Sequence, residues 1–230
     1  FSPEGELFLS VGSTSNDASE PNKESATMLK VSWDGKKREI YATGLRNTIG
    51  FDWHPVTKRL YGMDHGIDWL GDDLQKEELN ELKPGAKYGW PFVFEDGKHN
   101  PARDPAETTG KTRQEYATEC EAPVGIYTAH SAPMALLFPS KKFFPGGEQG
   151  DGLVTLHGSW NRGTASGYEV VRVKLDKNGG NANFQPFISG FYMEKVKGQF
   201  GRPCDLIEDS DGSLLMSDDS GGRIYRITKQ

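Results

Sequence analysis

Phe51-Asp52-Trp53-His54-Pro55-Val56-Thr57-Lys58-Arg59-Leu60-Tyr61-Gly62-Met63-Asp64 is the stretch that decides the fold reading. A short strand-like run, a polar turn carrying Pro55 and an apolar run closing on Asp64 spell a β-hairpin. A related pattern occupies residues 1–12, where a polar turn with Gly5 leads into Leu7-Phe8-Leu9-Ser10-Val11. It returns at residues 206–218, and more loosely at 135–158, with Phe143-Phe144-Pro145-Gly146-Gly147 as the turn and Leu153-Val154-Thr155-Leu156 as the strand. Amphipathic strands follow the hairpins: Met28-Leu29-Lys30-Val31, Val170-Val171-Arg172-Val173 and Ile224-Tyr225-Arg226-Ile227. An inner hairpin plus an outer hairpin, recurring at this period, predicts an all-β chain built as a β-propeller of four-stranded blades. About four blades are visible. The first starts inside a blade, so further N-terminal blades are expected in a longer parent. The chain 1–230 is read as one propeller domain, its C-terminal portion, with a Pro- and charge-rich loop insertion at about 95–119.

Composition agrees with short strands and tight turns: 28 Gly, 13 Pro and 11% aromatic residues in 230. A net charge of −6 argues against a nucleic-acid partner, which would require a basic face. No apolar run is long enough to span a bilayer as a helix. The chain opens on Phe1, as a processed or excised piece would. Two cysteines, Cys120 and Cys204, allow either a disulfide or two buried thiols.

The residues ahead of each inner hairpin carry the chemistry. Arg46-Asn47, His130-Ser131-Ala132-Pro133 and Arg202-Pro203 precede successive hairpins, and a propeller brings such positions to one end of its channel. Two Arg side chains there suit a multivalent carboxylate or phosphate, held by planar bidentate hydrogen bonds. Pairing of each Arg with an acidic neighbour is the plainer alternative. Asp68-Trp69-Leu70-Gly71-Asp72-Asp73 with Glu77-Glu78 is rich in oxygen ligands of the kind Ca²⁺ takes, or is a solvated acidic loop. His130 and His157, at strand ends, are each either a general base or structural. Asp218, closing the last inner strand, is expected at the channel mouth alongside Asp64 and Gly12.

Together, Gly44-Leu45-Arg46-Asn47, Asp64-His65-Gly66, Glu78-Leu79-Asn80, Lys87-Tyr88-Gly89-Trp90-Pro91, His130-Ser131-Ala132-Pro133, His157-Gly158-Ser159-Trp160-Asn161-Arg162, Gly201-Arg202-Pro203 and Ser217-Asp218-Asp219 resemble the soluble PQQ-dependent aldose sugar dehydrogenases. That family of glucose and sorbosone dehydrogenases is built on a six-bladed β-propeller. The resemblance covers nearly the whole chain and is most similar in flavour to sorbosone dehydrogenases. It implies the cofactors PQQ and Ca²⁺. Arg46, Asn47, Arg202 and Asp218 match cofactor-binding positions, and Trp160, Asn161 and Arg162 lie where the family offers a cationic cofactor contact. Gly66 and Ile67 would give backbone carbonyls to the Ca²⁺ on the cofactor. Glu78 and Tyr88 fall where a second, structural Ca²⁺ is held.

Three departures stand out: Ile49 replaces a polar cofactor ligand, Ile67 a Pro, and Cys204 a second Arg. The family's general-base His is expected upstream of Phe1, with His130 the fallback inside the chain. The implied reaction is oxidation of an aldose or sugar aldehyde at C1, with hydride passing to the quinone and electrons to an external acceptor. By the same resemblance the setting is periplasmic or secreted. A calcium-dependent lactonase-type propeller and a non-catalytic NHL-like binding propeller are the alternatives, the first poorly suited to two Arg at the site.

Overall fold

The computed structural model describes residues 1–140 and 149–228. The turn Phe143-Phe144-Pro145-Gly146-Gly147 lies outside the described residues. Four antiparallel sheets follow one another along the chain. The first holds β1 (Leu7–Val11), β2 (Thr27–Val31) and β3 (Arg38–Thr43). The second holds β4 (Thr48–Trp53), β5 (Leu60–Asp64) and β6 (Glu77–Leu82). Its fourth strand, β9 (Gly125–Tyr127), comes after an excursion containing β7 (Val93–Phe94), β8 (Lys98–His99), α1 (Ala106–Thr109) and α2 (Arg113–Thr118). The third is β10 (Pro133–Leu137), β11 (Gly152–Leu156), β12 (Glu169–Lys174) and β13 (Asn183–Ile188). A ribbon of β14 (Tyr192–Met193) and β15 (Gly198–Gln199) leads to the fourth sheet, β16 (Pro203–Glu208), β17 (Leu214–Asp218) and β18 (Arg223–Ile227).

Among the described residues, then, only the second and third sheets are four-stranded; the first and fourth have three strands each. β1 packs on β4 as β5 packs on β10 and β11 on β16, so β1 occupies the second place of its blade. Residues 95–119 are more than a loop, since they carry β8 and both helices.

Alternation of side chains along the strands distributes the sheets' apolar residues to three cores. Leu60 and Leu82 face the first sheet, where they meet Phe8 and Met28. Tyr61, Met63 and Leu79 face the third sheet and pack on Val154, Leu156, Val171 and Val173. Leu153 and Val170, on the other side of the third sheet, meet Leu206, Leu214 and Met216 of the fourth. Because the middle sheets are covered on both faces, β5 and β11 are buried at every position, whereas β17 alternates. Each such side chain contributes about 1.5–3 kcal/mol of burial. The first strands crowd together at the inner edge, with β10 between β4 and β16. Gly50 permits this approach: a Cβ there would lie 2.5 Å from the Leu136 backbone nitrogen. The sheets fan out from this edge as blades of a β-propeller do.

Cys120 and Cys204 are free thiols. The Cys120 S–H donates to the Tyr116 carbonyl at 3.3 Å, and burial pushes its pKa up to about 11.

Candidate functional site

The inner hairpins of the second, third and fourth sheets each have a bulge at the start of the first strand. Thr48, Pro133 and Pro203 hold one register position, opposite Asp64, Leu156 and Asp218 respectively, and the register shifts just after each. Such bulges re-aim the chain at a sheet's rim. The register also corrects the expected equivalence of Arg46, His130 and Arg202. They stand two, three and one residues before the bulge, so their side chains leave the rim in different directions.

The N–H groups at these bends need acceptors, and carboxylates supply them. Asp64 accepts from the N–H of Arg46 at 2.9 Å and of Asn47 at 2.8 Å, and from the Thr48 hydroxyl at 2.8 Å. Asp218 accepts from the N–H of Arg202 and of Gly221, both at 2.9 Å. In the third sheet Leu156 has no such oxygen, and Glu77 reaches across from the second sheet to accept from the Ala132 N–H at 3.0 Å. Its other oxygen takes the Gly66 N–H, also at 3.0 Å. Burial pushes the Glu77 pKa up to about 7 against these donors, and burial raises that of Asp64 as well.

Between these bends lies a cavity of about 210 Å³ lined by Arg46, Asn47, His65, Gly66, Asp68, Glu77, His130, Ala132 and Trp160. The Arg46 side chain is 12% exposed. Its guanidinium is aimed by Asn16 Oδ1, at 3.0 Å from Nε and 2.6 Å from Nη2, and by Asp68 Oδ2 at 2.9 Å. Trp160 stands at the rim with 76% of its surface exposed. The His130 Nε2–H donates to the Gly71 carbonyl at 2.8 Å, and that of His65 to the Pro133 carbonyl at 2.6 Å. Both rings thereby keep the proton on Nε2 and present Nδ1 as acceptor. Desolvation, with Arg46 and His157 nearby, lowers the His65 pKa to about 4.

The turn after β5 is tight. A Cβ on Gly66 would sit 2.4 Å from the Gln75 carbonyl oxygen. Gly66 gives its N–H to Glu77, and Ile67 gives its own to Gln75 Oε1 at 3.2 Å, so the turn's remaining backbone groups are its two carbonyls. Hard oxygen donors of that kind suit Ca²⁺. The Ile67 side chain is core, packed with Ala26 and Trp90. Asn161 bonds the Asp68 carbonyl at 2.6 Å, while its own Oδ1 is buried without a partner. A cationic fork and an exposed indole around one cavity fit a planar anion such as PQQ.

The remaining sequence candidates go elsewhere. Arg202 is spent on backbone, donating to the carbonyls of His157 at 2.9 Å and Gly158 at 2.7 Å over the Tyr168 ring. Asp218, 1% exposed, lies beneath the Arg202 bend. Arg162 ties its loop to the Asp72 carbonyl at 2.9 Å and to Asp73 at 3.2 Å. Glu78 and Tyr88 do not meet. The Tyr88 hydroxyl donates to the Glu81 carbonyl at 2.5 Å and accepts from the Lys83 N–H, about 10 Å along the strand from Glu78. Glu78 accepts from the Glu95 N–H at 2.5 Å, and burial pushes its pKa up to about 8. Among the described residues no three His, Cys, Asp or Glu side chains are grouped to hold a metal ion.

A family model described as TrAA12-like matches residues 5–230. The chain belongs to the TrAA12-like family. An uncharacterized protein of Borreliella burgdorferi is 34% identical to it over 236 residues, covering 98% of this chain and 58% of that protein. The calcium structure of Trichoderma reesei Carbohydrate-Active Enzymes Family AA12 superposes with a TM-score of 0.79 at 20% identity, covering 98% of this chain and 65% of that one. The holo form of the pyranose dehydrogenase PQQ domain from Coprinopsis cinerea gives 0.69 at 20% identity, covering 96% and 66%. At such identities the structural likeness concerns the fold. The TrAA12-like chain thus spans roughly three-fifths of these relatives' lengths.

In this TrAA12-like chain, the sequence marked neither His65 as a cavity group nor Asn16 as the partner of Arg46, and showed Asp68 only within the oxygen-rich run. Glu77 was legible only as part of an acidic run. Asn16 carried no signal at all, because its role is to meet a side chain thirty residues away. Among the described residues no helix is long and apolar enough to cross a membrane.

Proposed function

We propose that this chain is part of a PQQ- and calcium-dependent sugar dehydrogenase, oxidising an aldose or related sugar aldehyde at C1. The observation that carries this reading is the single cavity holding Arg46, Asn47, Gly66, His130 and Trp160 together. Arg46 and Asn47 bind the cofactor's carboxylates, with Asn16 and Asp68 fixing the fork's direction. Trp160 offers a flat face at the rim to the planar rings. The carbonyls of Gly66 and Ile67 are the calcium ligands. When bound, the Ca²⁺–quinone pair supplies a polarised two-electron acceptor for hydride.

The chain's own part is to hold, orient and manage protons. His130, its Nε2–H committed to Gly71, is the cavity's proton acceptor within this chain; His65 is too weak a base for that task. A general-base His preceding residue 1 remains part of the reading for the whole protein. Arg202, Asp218, Asn161 and Arg162 act one step back, holding the loops that carry the contacting groups. The second calcium expected at Glu78 and Tyr88 is not part of the proposal, since those side chains are committed to separate backbone groups. Exposed Ile207 (53%) and Ile224 (74%) on the last sheet support further blades in the complete six-bladed ring, and the family setting supports a periplasmic or secreted protein that hands electrons to an external acceptor.

The lactonase reading has no observation in its favour: the cavity's carboxylates, Asp68 and Glu77, are taken by Arg46 and by backbone N–H groups. The test is to titrate PQQ into cofactor-free protein with Ca²⁺, following the cofactor absorbance, then to assay dye reduction with an aldose. Saturable, calcium-dependent binding is expected. Absence of binding sinks the proposal.

A further inference from the structure

Beside the cavity runs a second depression of about 640 Å³, between the outer edges of the second and third sheets. Its walls are Tyr127 and Thr128 at the end of β9, Asn183 and Phe184 at the start of β13, and Lys76 and Arg162 above them. The floor is preformed, because the Ala182 N–H donates to the Val124 carbonyl at 2.8 Å and joins the two edges. The Tyr127 and Phe184 rings pack with centroids 5.2 Å apart.

The same segments that wall the cavity wall this groove. Glu77 faces the cavity and Lys76 the groove; His130 faces the cavity and Ala129 the groove; the loop bearing Trp160 at the cavity rim bears Arg162 at the groove. Arg162 is pinned to Asp72 and Asp73, and His130 to Gly71, so the shared wall is rigid. One step along the chain separates the two sites at Lys76–Glu77 and at Ala129–His130, and two steps separate them at Trp160–Arg162.

We infer that this groove is a subsite for the following sugar units of a neutral oligosaccharide whose reducing end is oxidised in the cavity. The inference rests on the dehydrogenase reading and names its substrate class. The chemistry matches: aromatic rings for the apolar faces of pyranoses, and an amide, a hydroxyl, an ammonium and the Arg162–Asp73 pair for hydroxyl groups that both donate and accept. The groove's net charge is low, since Asp73 offsets Arg162, which favours a neutral chain over a polyanion. Asn183 is exposed and Lys76 half-buried at the groove.

The experiment compares glucose with maltose and maltotriose, and xylose with xylotriose, on the complete protein loaded with PQQ and Ca²⁺. A second measurement titrates the trisaccharides into PQQ-free protein and follows the Asn183 side-chain amide by NMR. KM is expected to fall about tenfold from one to three units in at least one series, and the Asn183 signal to move without cofactor. Asn183→Ala and Lys76→Ala should each reduce the chain-length gain by about fivefold, one hydrogen bond's worth, while leaving monosaccharide turnover unchanged. A KM independent of chain length in both series, or trisaccharide binding that moves signals only around His130 and Trp160, overturns the inference. Either result leaves the dehydrogenase reading standing, because that reading fails on PQQ binding.

Discussion

Glu77 on the second sheet accepts the Ala132 N–H of the third at 3.0 Å, doing from a neighbouring blade what Asp64 and Asp218 do within their own. The same carboxylate holds the Gly66 N–H, so one buried group sets the spacing of two turns that line the cavity. Its pKa near 7 makes this link pH-sensitive. The folded-state value lies above the ordinary 4.5, so between these values the folded protein binds more protons than the unfolded chain. Stability from this group is therefore present at low pH and lost as pH rises through about 7. In calcium-free protein, urea unfolding from pH 5 to 8 should give a Glu77→Gln variant whose stability falls less steeply, by up to about 1.4 kcal/mol per pH unit. Parallel slopes for the two proteins would refute the link.

Asp64 is fully committed to three donors at the Arg46 bend. Asp64→Ala would strand two backbone N–H groups in a buried setting, at a cost of about 3 kcal/mol. Asp64→Asn keeps one acceptor and should cost about half as much. Equilibrium unfolding measures both, and equal losses would show that the bend does not depend on the acceptors.

Arg46 is held by Asn16 and Asp68 before any ligand arrives. Arg46→Ala should weaken PQQ binding about 100-fold, as loss of a charge-assisted pair of hydrogen bonds implies. Arg46→Lys keeps the charge without the fork and should recover only about a tenth of the affinity. Full recovery with Lys would mean the fork geometry is irrelevant. Asn16→Ala, touching no cofactor, should weaken binding several-fold by freeing the guanidinium.

The Cys120 thiol, raised to about 11 by burial, should resist alkylation at pH 8 until the protein unfolds. Reductant should leave the melting temperature unchanged, since neither thiol is bridged. A reductant-dependent drop would be inconsistent with two free thiols.

Strand positions and turns were legible because they are local. Period-two alternation and Pro or Gly in the turns mark the hairpins at 51–64 and 206–218 without reference to anything distant. Arg46 and Asn47 were legible as rim residues because they precede a readable strand, whereas Gly66 came only with the family resemblance; all three line the cavity. That β11 is covered on both faces while burial alternates along β17 was not legible, because both strands carry successive apolar residues.

What only the tertiary structure decided is where each polar group spends its hydrogen bonds. Arg46 and Arg202 look alike in sequence, but a one-residue difference in their distance from the bulge sends one guanidinium into the cavity and the other onto the carbonyls of His157 and Gly158. Leu156 stands where its counterparts are Asp64 and Asp218, and no local pattern says that Glu77 supplies the missing acceptor from another sheet. Hydrophobic burial depends on pattern and tolerates small shifts, so it can be read from the sequence. A hydrogen bond depends on direction within a few tenths of an ångström, and that is fixed only when the blades have packed.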